Sequence, residues 1–234
     1  MFYAKIADLT IRFDNKYDFL EKMCKDYICE EAVPDLILSA TDEEISAEIE
    51  EGSVNHPAYL ETLAVYRKLS DFLTKTDGLL MHGVVLNVNG SGVSFLAKSG
   101  TGKSTHMFLW KKLLGEKCTV VNGDKPLLRF SQDGIVYAYG TPWAGKEGIQ
   151  TNAKIPLNNI CFIERAEKNE TVKIDKKEAL SYLYSQIYMP NDGSSRIEIF
   201  DKLDKLIDFA DFYIIRCNMD ISAAETAFKV IFDI

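Results

Sequence analysis

Residues 95–105 read FLAKSGTGKST, and this stretch decides the fold. An apolar run leads into a loop of small residues, after which Lys-Ser-Thr opens a segment with the apolar spacing of a helix. A strand, a glycine-rich loop and a helix in this order are typical of a P-loop, in which backbone N–H groups surround a phosphate. Glycine permits that backbone because it has no Cβ to clash. The stretch therefore predicts a nucleotide phosphate site.

The residue types give the positions of the predicted loop their roles. The positive end of the following helix would face the phosphates, Lys103 would reach the outer phosphates of ATP, and the Ser104 hydroxyl would bind Mg²⁺. Ala97 stands where the usual pattern has glycine, and His106 is interpreted as an ordinary helix residue rather than a phosphate contact. A glycine-rich turn without a ligand would not explain the Lys-Ser-Thr at the helix start. The residues predicted to bind the nucleotide are Ser99, Gly100, Thr101, Gly102, Lys103, Ser104 and Thr105.

The composition of the whole chain limits its partners and its surroundings. The 234 residues carry a net charge of −8, which argues against binding nucleic acid or a membrane surface because both are anionic. The five cysteines form no C-x-x-C pair, so we expect free buried thiols in a reducing cytoplasm and no zinc site. We expect neither a signal peptide nor a membrane helix of about 18 apolar residues. The sequence leaves the oligomeric state open and is compatible with a homo-oligomer.

Residues 1–78 are predicted to form a small α/β unit, here called the N-terminal lobe. Alternating apolar residues predict a strand over residues 2–13, and a short strand is expected at 36–38. Apolar residues at helical spacing predict helices over 17–27 and 58–73.

Two features of the N-terminal lobe allow competing interpretations. The acidic run over residues 42–51 could bind a cation, but such a run is more often a solvated helix face, and Thr41 precedes it as a helix-start residue. His56 precedes Pro57, and proline is favoured in a first helical turn. We therefore interpret His56 as a cap or a surface residue rather than a ligand.

Residues 79–234 are predicted to form the nucleotide-binding domain. An Asn-Gly pair at 89–90, between two β-rich runs, predicts a hairpin whose second strand leads into the P-loop. A short strand at 118–121 ends near Asp124, which follows Lys103 by only 21 positions, so this strand should lie close to the P-loop strand. Asp124 would then face the phosphates as a metal ligand or a general base, although a Gly-Asp pair is also common in turns.

The segment after that strand contains one further candidate contact. The loop over residues 140–148 holds Lys146 between glycines. Lys146 could contact phosphate or substrate charge, or the segment could be a surface loop with a packed Trp143. The other predicted elements are a hairpin at 127–139, strands at 155–163, 172–174 and 212–216, helices at 176–188, 197–209 and 223–232, and a loop at 191–195.

These motifs resemble those of the HPr kinase/phosphorylase-like family, which shares its nucleotide core with ATP-dependent phosphoenolpyruvate carboxykinase. The likeness is closest over residues 81–128, where His-Gly opens the hairpin, Ser-Gly-Thr-Gly-Lys-Ser forms the loop and Asn-Gly-Asp follows the next strand. The run TPWAGK at 141–146 looks like a segment of HPr-kinase-like proteins. The resemblance implies an α/β fold with a phosphoenolpyruvate carboxykinase-like core, namely a mixed sheet with a P-loop fed by a β-hairpin. It is looser over the last hundred residues and not specific before residue 79.

The resemblance also implies roles for single residues. His82 matches the family's histidine near the reacting phosphate, while Lys103 and Ser104 match its nucleotide and Mg²⁺ residues. Asp124 matches the second acid of an acidic pair, but Gly123 stands where the first acid is expected. Asp124 and His82 would then share metal binding and base catalysis, unless His82 is a structural residue at a strand start. The family's arginine-rich signature is absent, which argues against HPr itself as the substrate.

The leading hypothesis is an ATP- and Mg²⁺-dependent kinase that transfers a phosphoryl group to a hydroxyl, with a serine of a small protein or peptide as the best candidate. Its catalytic residues would be Lys103, Asp124 and His82. A non-catalytic ATP-binding sensor or scaffold is the alternative that Gly123 favours. Carboxykinase chemistry is less favoured because the chain is short for it. The sequence does not identify the acceptor or decide between ATP, GTP and pyrophosphate.

Overall fold

The computed structural model describes residues 1–49, 55–190 and 193–234. Within these ranges the chain forms three β-sheets, with helices packed around three buried apolar clusters. The architecture is α/β with mixed sheets, as the sequence predicted.

The strands and helices of the described residues have the following bounds. The strands are β1 (Phe2–Ile6), β2 (Leu9–Phe13), β3 (Leu36–Leu38), β4 (Gly78–Leu80), β5 (Val84–Val88), β6 (Ser91–Leu96), β7 (Cys118–Asn122), β8 (Leu127–Phe130), β9 (Val136–Tyr139), β10 (Lys154–Pro156), β11 (Asn159–Arg165), β12 (Glu170–Lys173) and β13 (Asp211–Cys217). The helices are α1 (Asp18–Met23), α2 (Asp42–Ala47), α3 (Pro57–Thr74), α4 (Lys103–Leu114), α5 (Lys176–Leu183), α6 (Gly193–Phe209) and α7 (Ile221–Ile231).

The largest sheet has six strands in the order β12-β13-β11-β6-β5-β7. Strand β5 is antiparallel to both of its neighbours, so β6 and β7 point in the same direction with β5 between them. Strand β11 pairs in parallel with β6, and β13 pairs in parallel with β11. Four strands therefore end at one edge of the sheet, which is where α/β proteins usually bind ligands. The predicted closeness of the 118–121 strand to the strand before the glycines is confirmed, with one strand between them.

The predicted hairpin at 89–90 is confirmed as the connection between β5 and β6. Asn89 and Gly90 have φ angles of 51° and 89°, and two successive positive φ values are typical of the type I′ turn that suits a two-residue hairpin. The second strand of this hairpin leads directly into residues 97–102, here called the glycine loop, and then into α4.

The six-stranded sheet is covered on both faces because its central strands carry buried apolar side chains on both sides. Residues of β5 and β6 alternate between two clusters, one shared with α4 and α7 and the other with α5 and α6. Alternation of side chains across a strand produces this division. On the α4 side the cluster is centred on Trp110, which is fully buried.

The N-terminal lobe is built from the three-stranded sheet β1-β2-β3 and the helices packed against it. Its apolar cluster also takes in side chains from beyond residue 78, among them Leu80 and Trp143. The His56 ring caps α3 by accepting a hydrogen bond from the Ala58 backbone N–H at 3.1 Å, so the interpretation of His56 as a cap is confirmed. The domain boundary at residue 78 stays a prediction.

Three segments whose sequences predict β-structure are each divided into two strands. Residues 2–13 form the hairpin β1–β2, which turns at two residues of positive φ, Ala7 and Asp8. Residues 79–88 and 155–163 are each divided between the six-stranded sheet and a second, antiparallel sheet of order β10-β9-β8-β4. The pairs His82-Gly83 and Asn158-Asn159 stand where the chain passes from one sheet to the other, and such short interruptions were not interpreted as the end of a strand.

Two predicted helices are shorter than expected, and the helix predicted over 197–209 begins at residue 193. The helices predicted over 17–27 and 176–188 end at Met23 and Leu183, and a residue beyond each makes a β-bridge to a neighbouring segment instead. The loop predicted over 191–195 is wrong at residues 193–195, which belong to α6. Residues 191 and 192, and residues 50 and 51 of the acidic run, lie outside the described residues.

No helix in the described ranges has both the length and the apolar character needed to cross a bilayer.

His106 on α4 is a core residue and lies away from solvent. Its ring is 2% exposed, and its Nε2 accepts a hydrogen bond from Trp110 Nε1 at 3.0 Å. Burial lowers the pKa of His106 from 6.5 to about 4, because a charged imidazolium is poorly solvated there. The interpretation of His106 as a helix residue therefore agrees with its position.

We predict that His106→Gln makes the free energy of unfolding less dependent on pH between about 6.5 and 4. In the wild type the neutral ring contributes its full stability above the unfolded-state pKa of 6.5, and about 3 kcal/mol is lost as the pH falls towards the folded-state value. Glutamine retains an acceptor for Trp110 and has no such titration. Urea unfolding at a series of pH values measures the slope, and an unchanged slope in the variant would contradict the assignment.

Candidate functional site

Two glycines of the glycine loop have backbone conformations that favour glycine. Gly100 and Gly102 have φ angles of 75° and 132°, values that residues with a Cβ rarely adopt. Gly102 is also the N-cap residue of α4, and no side chain caps this helix. The first backbone N–H groups of α4 are therefore available to an anion at the positive end of the helix.

Lys103 is held against the glycine loop. Its side chain is almost buried, and Nζ donates a hydrogen bond to the carbonyl oxygen of Ala97 at 2.7 Å. Burial lowers the pKa of Lys103, and the nearby Asp124 carboxylate partly offsets this effect. An ammonium group in this position is already desolvated and close to the loop amides, so it can interact strongly with a phosphate.

Asp124 and His82 lie within hydrogen-bonding distance of each other at the same edge of the sheet. His82 Nε2 lies 3.3 Å from Asp124 Oδ1. Burial raises the pKa of Asp124, but the hydrogen bond from His82 and the charges of His82, Lys125 and Lys103 outweigh it, so the net pKa of Asp124 lies below 3.8. The carboxylate is therefore ionised at neutral pH and can accept a proton or bind a cation.

The backbone around Asp124 is fixed by the buried amide of Asn122, which the sequence analysis did not single out. Asn122 Oδ1 accepts hydrogen bonds from the backbone N–H groups of Asp124 at 2.9 Å and Lys125 at 2.7 Å. Its Nδ2 donates to the carbonyl and the hydroxyl of Thr141. An Asn before Gly-Asp at a strand end is the sequence signal of such a side-chain turn.

The environment of Gly123 gives a physical reason for the missing first acid. A Cβ at this position would lie 3.0 Å from the carbonyl oxygen of Ala144 and 3.1 Å from that of Ile149. These distances are tight, and both contacts are to backbone. A side chain at residue 123 would therefore need the carbonyls of Ala144 and Ile149 to move by a few tenths of an ångström, whereas glycine fits without any movement.

These groups surround one cavity of about 1060 Å³, here called the central cavity. All the predicted site residues except Thr101 line this cavity. Lys146 is part of the cavity wall and is also exposed to solvent, as the alternative of a surface loop requires. The N-terminal lobe supplies a further part of the wall. Predicted site residues that line the cavity are His82, Ser99, Gly100, Gly102, Lys103, Ser104, Thr105, Asp124 and Lys146.

Ser104 and Asp124 are the predicted Mg²⁺ ligands, and both line the central cavity. A hydroxyl and a carboxylate are donors that Mg²⁺ binds together with water and phosphate oxygens, so these side chains fit the predicted ion. In the part of the chain that the structure describes, no group of three or more His, Cys, Asp or Glu residues is placed to hold a metal ion.

Arg165 is a contact of the glycine loop that the sequence analysis missed. It is the last residue of β11, and its guanidinium donates hydrogen bonds to the carbonyl oxygens of Thr101, at 3.0 Å, and Gly100. Carbonyls that are held outward in this way leave the loop N–H groups free for a ligand. The sequence does not reveal this contact because it depends on the parallel pairing of β11 with β6.

Comparison with known proteins adds little to this description. No family model matches the chain, and no curated protein matches it. Among solved structures, the HPr(Ser) kinase/phosphatase from Coxiella burnetii matches with 12% sequence identity and a TM-score of 0.31, over 54% of this chain and 90% of that chain. A likeness at this TM-score carries no argument about the site, so the family indicated by the motifs stays a prediction.

We predict that Arg165→Ala weakens the binding of inorganic tripolyphosphate about fivefold, the effect of losing roughly 1 kcal/mol of hydrogen bonding that shapes the glycine loop. Isothermal titration calorimetry measures the affinity. Arg216→Ala is the matched control, because Arg216 lies on the adjacent strand β13 and pairs with Glu164 and Glu170 instead of the loop. Equal affinities in the two variants would show that Arg165 does not shape the anion site.

Proposed function

We propose that this protein is a kinase that binds Mg-ATP at the glycine loop and transfers the γ-phosphoryl group to a hydroxyl, with a serine of a small protein or peptide as acceptor. The observation that carries the proposal is that Lys103, Asp124 and His82 line one cavity together with the glycine loop and the start of α4. Phosphoryl transfer needs mainly positioning and neutralisation of charge, and this set of groups supplies both.

The reaction assigns a separate task to each group. The loop N–H groups and Lys103 bind the phosphate oxygens and neutralise the charge that develops on them. Asp124 accepts the proton of the acceptor hydroxyl as the hydroxyl oxygen forms a bond to the γ-phosphorus. The bond between the γ-phosphorus and the β–γ bridging oxygen breaks at the same time, which releases ADP. His82 orients the Asp124 carboxylate through the hydrogen bond between its Nε2 and Asp124 Oδ1. Mg²⁺, when bound with ATP by Ser104 and Asp124, supplies further neutralisation of phosphate charge.

We predict that Lys103→Ala and Asp124→Asn each lower ATP turnover at least about 100-fold, because each removes a charge that acts in the transition state. Release of ADP and transfer of label from γ-labelled ATP measure the rate. Lys112→Ala is the matched control: Lys112 is exposed on α4 and lies outside the cavity wall. Equal turnover in the wild type and both site variants would contradict the mechanism.

A non-catalytic ATP sensor is the second candidate, and the crowding around Gly123 favours it. With one carboxylate at the strand end, Asp124 alone would have to bind the metal ion and act as the general base, whereas two carboxylates could each perform one of these tasks. ATP binding by calorimetry, with neither hydrolysis nor transfer in the wild type, selects the sensor over the kinase.

A further inference from the structure

One wall of the central cavity is built by the N-terminal lobe. Helix α1 and the residues after it contribute Phe19, Lys22 and Lys25, and the first two turns of α3 contribute Tyr59 and Leu63. The same cavity contains Asp124, the group to which an acceptor hydroxyl must come in the proposed reaction. This wall belongs to the part of the chain in which the sequence analysis found no specific resemblance to any family.

The cavity wall is basic although the chain as a whole is acidic. Five lysines line it against two carboxylates, whereas the chain carries a net charge of −8. Lys103 faces the glycine loop, but Lys22, Lys25 and Lys146 are exposed and make no ion pair within the described residues. Unpaired charges of one sign around a cavity concentrate ligands of the opposite sign.

Exposed apolar side chains accompany these lysines. The rings of Phe19 and Tyr59 are 44% and 42% exposed, and Leu63 and Met23 line the cavity beside them. The lobe therefore offers an apolar surface bordered by ammonium groups, and the complementary ligand has apolar and anionic groups on one chain. The cavity volume of about 1060 Å³ is at the upper end of the range of about 300–1,000 Å³ that is usual for ligand pockets, and its lining extends from the glycine loop to the N-terminal lobe.

We propose that this wall binds the phosphoryl acceptor, and that the acceptor is a peptide segment whose reacting serine is flanked by acidic and apolar residues. The inference rests on the proposed kinase function. The acidic residues pair with Lys22 and Lys25, the apolar residues cover Phe19 and Tyr59, and the serine hydroxyl is left facing Asp124. The glycine loop and Lys103 remain for the nucleotide.

The test uses three hexapeptides as acceptors for γ-labelled ATP: acid-flanked LDDSDL, neutral LNNSNL and basic LKKSKL. The wild type is expected to phosphorylate LDDSDL with a kcat/KM about tenfold or more above that for LNNSNL, and to leave LKKSKL unmodified. The double variant Lys22→Glu with Lys25→Glu is expected to lose this preference and to favour LKKSKL, while its affinity for ATP, measured by calorimetry, stays within about twofold of the wild type. Lys5→Glu with Lys168→Glu is the matched control, because both lysines are exposed and outside the cavity wall.

Each result decides a separate question. Equal rates for the three peptides, or no transfer to any of them by a protein that hydrolyses ATP, overturn the acceptor inference and leave the kinase function standing. Weaker ATP binding in the Lys22→Glu and Lys25→Glu variant, with its peptide preference unchanged, overturns the inference by assigning the wall to the nucleotide. A wild type that does not bind ATP contradicts the proposed function itself.

Discussion

The candidate site depends on one constraint of strand direction: β5 is antiparallel to both β6 and β7. A tight hairpin places β5 beside the strand that leads into the glycine loop, and the next strand of the chain then returns on the other side of β5. The ends of β6 and β7 therefore face the same way, one strand apart. Without this arrangement Lys103 and Asp124 would lie at opposite edges of the sheet, and they would not share a cavity.

The 140–148 loop connects this edge to the N-terminal lobe. Trp143 stacks on Tyr66 of α3 at 4.3 Å between ring centroids, and its Nε1 donates a hydrogen bond to the carbonyl of Thr62. Both the Tyr66 hydroxyl and the Thr141 hydroxyl donate to the carbonyl of Lys125, the residue after Asp124. The N-terminal lobe therefore contacts the backbone next to Asp124 directly, so a shift of α3 would also move the Asp124 backbone.

Sequence reasoning recovered the local features and missed the long-range ones. The Asn-Gly hairpin and the cap at His56 are each encoded in a few adjacent residues, and both are confirmed. The P-loop pattern is equally local and stays a prediction. Arg165 and the wall around Lys22 could not be found in this way, because they approach the site only through strand pairing and packing between distant segments. The 155–163 segment was misjudged for a related reason: the Asn-Asn pair at 158–159 interrupts it, but a two-residue interruption does not show that the flanking strands pair in different sheets.

The crowding around Gly123 limits how this site could change. A carboxylate next to Asp124 would place its Cβ 3.0 Å and 3.1 Å from two backbone carbonyl oxygens, so the segment between Ala144 and Ile149 would have to move by a few tenths of an ångström to admit it. That segment also carries Lys146, so a paired-acid centre would shift one of the cations in the cavity wall.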